Sequence, residues 1–157
     1  MPSTSTCLWF DNQALEAATF YVSLFPNSRI TDTKYYLEGA PLPAGTVLTV
    51  EFELDGTEYL ALNGGPVFEF SPAISIIAHC DTQAEVDTLW QKLTAGGQES
   101  RCGWLTDKYG LSWQVVPRML NTILNTADGA ASQRAFSALM GMTKLDIASL
   151  QRAYDGL

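Results

Sequence analysis

The feature that most constrains the fold of this sequence is an internal repeat. The pattern Asp11-x-Gln13-Ala14 recurs as Asp81-x-Gln83-Ala84, and each copy follows an apolar run and opens a helical stretch. A hairpin pattern follows in each half, around the turn glycines Gly56 and Gly110. The same elements in the same order predict two copies of one module.

Hydrophobic periodicity assigns the elements of each half. The predicted strands and helices, in chain order, are a strand at 5–10, a helix from 11 to about 24, strands at 29–37, 46–54 and 58–63, a strand at 73–80, a helix from 81 to about 94 and a hairpin over 102–117. Thr82 and Glu85 have the spacing of a capping box at the start of the second helix. The pattern predicts an α+β fold, a single domain 1–157 of two βαβββ modules, 5–66 and 73–117, followed by a C-terminal helical segment, 118–157.

The hairpin of the second half places polar residues on one strand face. Leu111, Trp113 and Val115 alternate with Ser112 and Gln114, so one face packs on a core while the other carries the two polar side chains towards a ligand. The alternative is a core hairpin that takes part in no chemistry.

Charge and cysteine content narrow the possible partners. The formal net charge is −8 and no cluster of Lys and Arg is present, which argues against nucleic acid and anionic membranes. No apolar run reaches membrane-spanning length and no signal peptide is evident. The chain has three cysteines, Cys7, Cys80 and Cys102, and none of them form a CxxC pair. From this odd number we expect reduced thiols in the cytoplasm. The alternative that one of the three is a reactive nucleophile is left open.

Several longer segments resemble a known family, the PhnB-like (3-demethylubiquinone-9 3-methyltransferase-like) group of the vicinal oxygen chelate, or glyoxalase/bleomycin-resistance, superfamily. The segments that carry the resemblance are LWFD at 8–11, FYVSLFPNSRI at 20–30, LALNGGP at 60–66, CDTQAEVDTLWQKL at 80–93, CGWLTDKYGLSWQVVP at 102–117 and LDIASLQRAY at 145–154. The resemblance implies a fold of two βαβββ modules whose curled sheets form a cleft.

The resemblance also implies where a divalent metal would be held, on the first and last strands of each module. Those positions fall on Ser75 and Gln114 in the second module, and on Leu60 and either Ser5 or Cys7 in the first. Serine, leucine and glutamine side chains do not form a transition-metal site. We therefore predict no cofactor and no metal at the usual superfamily positions.

A metal away from these positions and a methyl donor are the remaining cofactor hypotheses. His79 is the single histidine of the chain, and together with Glu58 it could hold a displaced divalent metal. The more ordinary interpretation of a lone histidine at a strand end is a hydrogen-bonded bystander. No glycine-rich loop joins a strand to a helix, so a methyltransferase activity has no cofactor-binding motif to support it.

Strand alternation predicts which side chains line the cleft. Glu58 and His79 are the candidate catalytic residues, because each could act as a general base. The predicted ligand-binding residues are Cys7, Trp9, Ser75, Ser112 and Gln114.

Three functions are consistent with such a cleft. The first is binding of a small molecule without metal. The second is an enzyme of lyase, isomerase or dioxygenase type that uses Glu58 or His79, with or without a displaced metal. In the third, bulky side chains fill the space and the fold serves as a dimerisation module.

The C-terminal segment predicts a homodimer. Phe136, Leu139 and Met140 are predicted to share one helical face, and Ile147, Leu150 and Tyr154 another. Short helices need a packed surface. These stripes are predicted to dock on a second subunit, with a monomer capped by its own helices as the alternative.

Overall fold

The computed structural model of the chain describes residues 1–125 and 127–157. These residues form two compact units, Met1–Phe70 and Ser71–Leu157.

The first unit is a four-stranded sheet with one helix. Its elements are β1 (Thr6–Phe10), α1 (Ala14–Val22), β2 (Arg29–Tyr35), β3 (Val47–Leu54) and β4 (Thr57–Asn63). The strand order is β1-β4-β3-β2, with β1 and β4 parallel and the other pairs antiparallel. Asp55 and Gly56, with φ of 46° and 82°, form the two-residue turn between β3 and β4.

The core of this unit lies between α1 and one face of the sheet. Small residues on α1, among them Ala14, Ala17 and Ala18, are fully buried and let the helix approach the strands closely. Asn63, at the end of β4, has its side-chain oxygen 2.9 Å from the amide of Ala14 and accepts its hydrogen bond. The start of α1 is thus capped by a residue that is distant in sequence.

The second unit repeats this architecture. Its elements are β5 (Ile76–Cys80), α2 (Gln83–Thr94), β6 (Gln98–Glu99), β7 (Trp104–Thr106), β8 (Ser112–Pro117), α3 (Met119–Leu124), α4 (Gly129–Met140) and α5 (Ile147–Asp155). The strand order β5-β8-β7-β6 is that of the first unit. The predicted α+β fold with βαβββ modules is confirmed, and the capping box at Thr82 and Glu85 is present. The two-residue strand β6 was not predicted, because it is short and polar.

A buried carboxylate holds the β7–β8 turn. Asp107 is 2% exposed and accepts hydrogen bonds from the amides of Tyr109, at 2.8 Å, and Leu111, at 3.1 Å. Its other oxygen accepts from Nε1 of Trp113 at 2.9 Å. Trp113 is fully buried. This one side chain therefore connects the turn to the core of the second unit.

The three C-terminal helices pack within the second unit. Leu120, Leu139, Leu145 and Leu150 form a buried cluster, and Val116 of β8 packs against it. Phe136, Leu139 and Met140 are spaced i, i+3 and i+4 on α4 and lie on one side of the helix, as predicted, but they are not equally buried. Leu139 is buried together with Ala131 and Ala135, whereas Phe136 and Met140 are 45% and 51% exposed.

In the part of the chain that the structure describes, no helix combines the length and apolar character needed to cross a membrane.

Candidate functional site

Each sheet has a second face, which we call its open face. It carries the strand residues that alternate with those buried beside α1 or α2. The predicted site residues lie on or beside these two faces. Cys7, Trp9 and Glu58 are on the open face of the first unit, and His79, Ser112 and Gln114 are on that of the second. Ser75 precedes β5 and lies beside Gln114.

The open face of the first unit is rich in charge. Cys7 lies opposite Leu60, which lies opposite Glu51 on β3. In the neighbouring row Glu58 lies opposite Glu53, whose carboxylate is 3.4 Å from Nε of Arg29. Like charges directly opposite each other across two strands repel, and Arg29 relieves this repulsion in part.

A small cavity opens among these side chains. Its volume is about 140 Å³. The lining residues are Ser5, Thr31, Glu51, Phe52, Glu58, Tyr59 and Leu60. Glu51 is 3.5 Å from Nζ of Lys34, whereas Glu58 makes no ion pair or hydrogen bond with any residue that the structure describes.

Trp9 is held by the segment that follows β4. Its indole nitrogen donates a hydrogen bond to the carbonyl of Gly65 at 2.9 Å, and its ring meets Phe68 edge-on at 5.0 Å. The ring also lies directly over Gly64, so that any Cβ at position 64 would overlap it. Two glycines of the NGGP segment therefore serve to position Trp9.

The open face of the second unit carries neutral polar groups. Gln114 lies between Ile77 on β5 and Trp104 on β7. Its Nε2 atom donates a hydrogen bond to the hydroxyl of Ser75 at 3.1 Å. In the next row Ser112 lies opposite Thr106.

The remaining predicted residue, His79, is exposed and lies opposite Val116. It shares the open face with Ile77 and Gln114. On β5 it lies two residues after Ile77. The structure therefore brings four of the predicted residues onto or beside one face of the second unit, and three onto one face of the first. That all seven line one cavity stays a prediction.

The pairing registers of the two sheets match position by position. Cys7 opposite Leu60 corresponds to Ile77 opposite Gln114, both in parallel pairs. The antiparallel neighbours extend the match, so Glu51 corresponds to Trp104 and Glu53 to Thr106. Sequence reasoning missed Trp104 because the register that places it beside Gln114 depends on the length of the β7–β8 turn.

The thiols of Cys7 and Cys80 are poorly suited to nucleophilic catalysis. Burial of Cys80 raises the pKa of its thiol to about 11. Partial burial also raises the pKa of the Cys7 thiol, although the residue as a whole is exposed. Little thiolate is therefore present at neutral pH in either residue.

The residues at the expected metal positions do not fit a metal. Ser75 and Gln114 offer a hydroxyl and an amide that already bond to each other, and Leu60 offers no donor atom. Among residues 1–125 and 127–157 no three His, Cys, Asp or Glu side chains lie close enough together to hold a metal ion. The donor atoms at these positions therefore suit hydrogen bonding to a ligand rather than coordination of a cation.

A family model and a solved structure that match this chain carry the same family description. Residues 2–116 match the family described as 3-demethylubiquinone-9 3-methyltransferase. The PhnB protein from Bacillus cereus is 36% identical, with a TM-score of 0.68 over 74% of this chain and 99% of that one. The chain matches no curated protein.

Two less similar structures share the fold. Protein PA1353 from Pseudomonas aeruginosa is 19% identical, with a TM-score of 0.61 over 74% of this chain and 98% of that one. The fosfomycin resistance protein FosX from Listeria monocytogenes, in complex with Mn(II) and sulfate, is 14% identical, with a TM-score of 0.52 over 73% of this chain and 89% of that one.

Proposed function

The chain belongs to the 3-demethylubiquinone-9 3-methyltransferase family, the PhnB-like group of the vicinal oxygen chelate superfamily, and on that premise we propose that it binds a small molecule without a metal. The ligand is proposed to bind at the open face of the second unit, which carries Ser112 and Gln114, with Ser75 beside Gln114.

The hydrogen bond between Ser75 and Gln114 carries the proposal. These two residues stand where the superfamily places metal ligands. In this chain they form a neutral pair that can hydrogen-bond a ligand directly, because the hydroxyl proton of Ser75 and the amide oxygen of Gln114 remain available. A binding protein needs a few such polar groups among apolar ones, and Ile77 supplies an apolar neighbour.

Methyl transfer is not proposed, despite the family description. The connections between strand and helix, 11–13 before α1 and 81–82 before α2, contain no glycine. A nucleotide-like cofactor is ordinarily held at such a connection by a glycine-rich loop.

One observation favours the alternative of an enzyme. Glu58 lines the small cavity of the first unit and has no ion-pair partner among the described residues. A general base needs such a group within reach of the substrate. Glu58 and His79 are therefore the residues to substitute if turnover is found.

Thermal unfolding in the presence of a metabolite library tests the proposal. With a chelator present, at least one uncharged or weakly charged compound is expected to raise the unfolding temperature, since a ligand that binds only the native state stabilises it. Adding Mn²⁺ or Zn²⁺ in place of the chelator is expected to change nothing. Stabilisation that requires the metal would contradict the proposal.

We further propose that the protein is a cytoplasmic homodimer with no nucleic-acid partner. The exposed side chains of Phe136 and Met140 on α4 support an intersubunit contact, because they are adjacent on the helix and apolar. The displaced metal at Glu58 and His79 has no such support in the structure.

A further inference from the structure

The small cavity of the first unit is lined by carboxylates and hydroxyl groups. Its polar lining includes Glu51, Glu58, Ser5 and Thr31, and none of the described residues that line it is Lys, Arg or His. The volume of about 140 Å³ has room for about four or five water molecules, since each takes about 30 Å³. The cavity is therefore large enough for a charged group and the carbon atoms next to it.

The two carboxylates of the cavity are incompletely compensated by the cations of the sheet. Lys34 lies 3.5 Å from Glu51, but its shorter contact, at 2.8 Å, is with Asp32. Glu58 has no ion-pair partner in the described part of the chain and lies opposite a further carboxylate, that of Glu53. The cavity thus keeps an excess of negative charge, which a bound cation would balance.

The spacing of the two carboxylates suits a compact cation between them. Glu51 lies opposite Leu60, and Glu58 precedes Leu60 by two residues, so the two glutamates are diagonal neighbours across β3 and β4. Diagonal neighbours are about 7–8 Å apart, and a charged N–H donor lies about 2.8 Å from each carboxylate oxygen that it contacts. An ammonium has three such donors and can contact both carboxylates at once.

A third polar group reaches the cavity through an irregularity of β2. The pairing passes from Ile30 opposite Phe52 to Asp32 opposite Glu51, so Thr31 is the extra residue of a β-bulge. Bulges redirect a side chain out of the regular alternation, and Thr31 is one of the lining residues. Its hydroxyl supplies an uncharged acceptor for the third N–H of an ammonium.

An apolar and aromatic surface continues from the cavity along β1 and β4. Cys7 lies opposite Leu60, which lines the cavity, and Trp9 lies opposite Leu62 in the next row of the same face. The ring of Phe68 meets Trp9 edge-on and is 63% exposed. Successive strand residues rise about 3.3 Å, so Trp9 lies about 7 Å beyond Cys7. A ligand with its cationic end in the cavity would therefore lay an apolar chain along this surface.

We propose that the open face of the first unit binds a primary amine that carries an arylalkyl chain, with the ammonium between Glu51 and Glu58 and the ring towards Trp9. A metal ion is not proposed, because within residues 1–125 and 127–157 no three His, Cys, Asp or Glu side chains lie close enough together to hold one. The inference concerns a different surface from the one proposed for the ligand of the second unit and does not rest on it.

The first test compares 4-phenylbutylamine with 4-phenylbutan-1-ol, which have nearly the same shape but differ in charge. In NMR titrations of the full chain, the amine is expected to bind at least about tenfold more tightly than the alcohol, and to weaken as the salt concentration rises. Its shifts are expected at Glu58, Thr31 and the Trp9 indole. Equal binding of the two compounds, or amine shifts confined to the second unit, would overturn the inference.

Variants test the carboxylate that has no partner. Glu58→Gln keeps the shape of the side chain and removes its charge, and is expected to weaken binding of 4-phenylbutylamine about tenfold while thermal unfolding stays cooperative. Glu16→Gln is the matched control, because it removes the same charge from an exposed position on α1, on the other side of the sheet. It is expected to bind the amine as the native chain does. If Glu58→Gln binds like Glu16→Gln, the inference is wrong.

Discussion

At equivalent positions of the two sheets, the first unit carries Glu58 and Glu53 where the second carries Ser112 and Thr106. Leu60 in the first unit corresponds to Gln114 in the second, although the strand order and pairing register are the same. The charged face is stabilised by cations from β2, whereas the neutral face has none. One backbone arrangement therefore supports two kinds of surface, because the side chains on the open face do not pack in the core between the sheet and α1 or α2.

The two hairpins differ in the same way. The β3–β4 turn needs only Asp55 and Gly56 in left-handed conformations, an arrangement that is local in sequence. The β7–β8 turn depends on Asp107 and its buried hydrogen bonds to the turn and to Trp113. The second hairpin, which carries Gln114, is therefore tied to the core more strongly than the first.

The largest expected effect on stability comes from removing the side chain of Asp107. Asp107→Ala leaves the indole N–H of Trp113 and two turn amides without their acceptor. We expect a loss of about 3 kcal/mol in the free energy of unfolding, since hydrogen bonds to a buried carboxylate are among the strongest. Urea denaturation measures it. Asp55→Asn in the other turn is the control and is expected to change stability by less than about 0.5 kcal/mol. Equal losses would remove the contrast between the hairpins.

A smaller loss is expected where the first unit positions its tryptophan. Gly64→Ala places a methyl group against the indole of Trp9. Overpacking of this kind costs about 2 kcal/mol. The fluorescence of the protein should change with it, since the ring must move. Gly129→Ala is the matched control, because a Cβ there meets nothing within 4 Å. An unchanged stability and spectrum for Gly64→Ala would show that Trp9 is not held as described.

The second unit alone carries extra helices, and their exposed side chains provide a test of the homodimer. The double variant Phe136→Glu, Met140→Glu is expected to weaken dimerisation at least about tenfold, or about 1.4 kcal/mol, because buried carboxylates at an apolar contact repel. Sedimentation at several concentrations measures the constant. A pair of substitutions on exposed α2 positions, Gln91→Glu and Lys92→Glu, is the control. A native chain that is monomeric at high micromolar concentration would contradict the proposal itself.

The smallest effect concerns the charges of the first sheet. Nζ of Lys34 lies 2.8 Å from Asp32 and donates a hydrogen bond that lowers the pKa of that carboxyl; the same contact raises the pKa of Lys34. The stabilisation from Asp32 is therefore present above its unfolded-state pKa and lost as the pH falls through the lower folded-state value. In Lys34→Gln an NMR titration should place the pKa of Asp32 closer to its ordinary value. Lys92→Gln, far from this carboxyl in sequence, should leave it unshifted.

The sequence predicted the elements that depend on local patterns. The repeat around Asp11 and Asp81 predicted two modules, and the capping box at Thr82 predicted the start of α2, because the interacting groups are three residues apart. It did not predict that α1 is capped by Asn63, since that contact joins residues on different elements. The two-residue β6 is likewise too short to leave a periodic pattern.

For the site, the sequence by itself determined the residue types at the positions that the resemblance implies, and these residue types led to the prediction that Ser75, Gln114 and Leu60 hold no metal. Strand alternation also determined that Ser112 and Gln114 share a face, because the period of a strand is fixed by its backbone. Only the tertiary structure decided that Trp104 lies beside Gln114 and that Ser112 is buried. Cross-strand register and burial depend on the turn geometry and on packing between distant segments, which no local pattern contains.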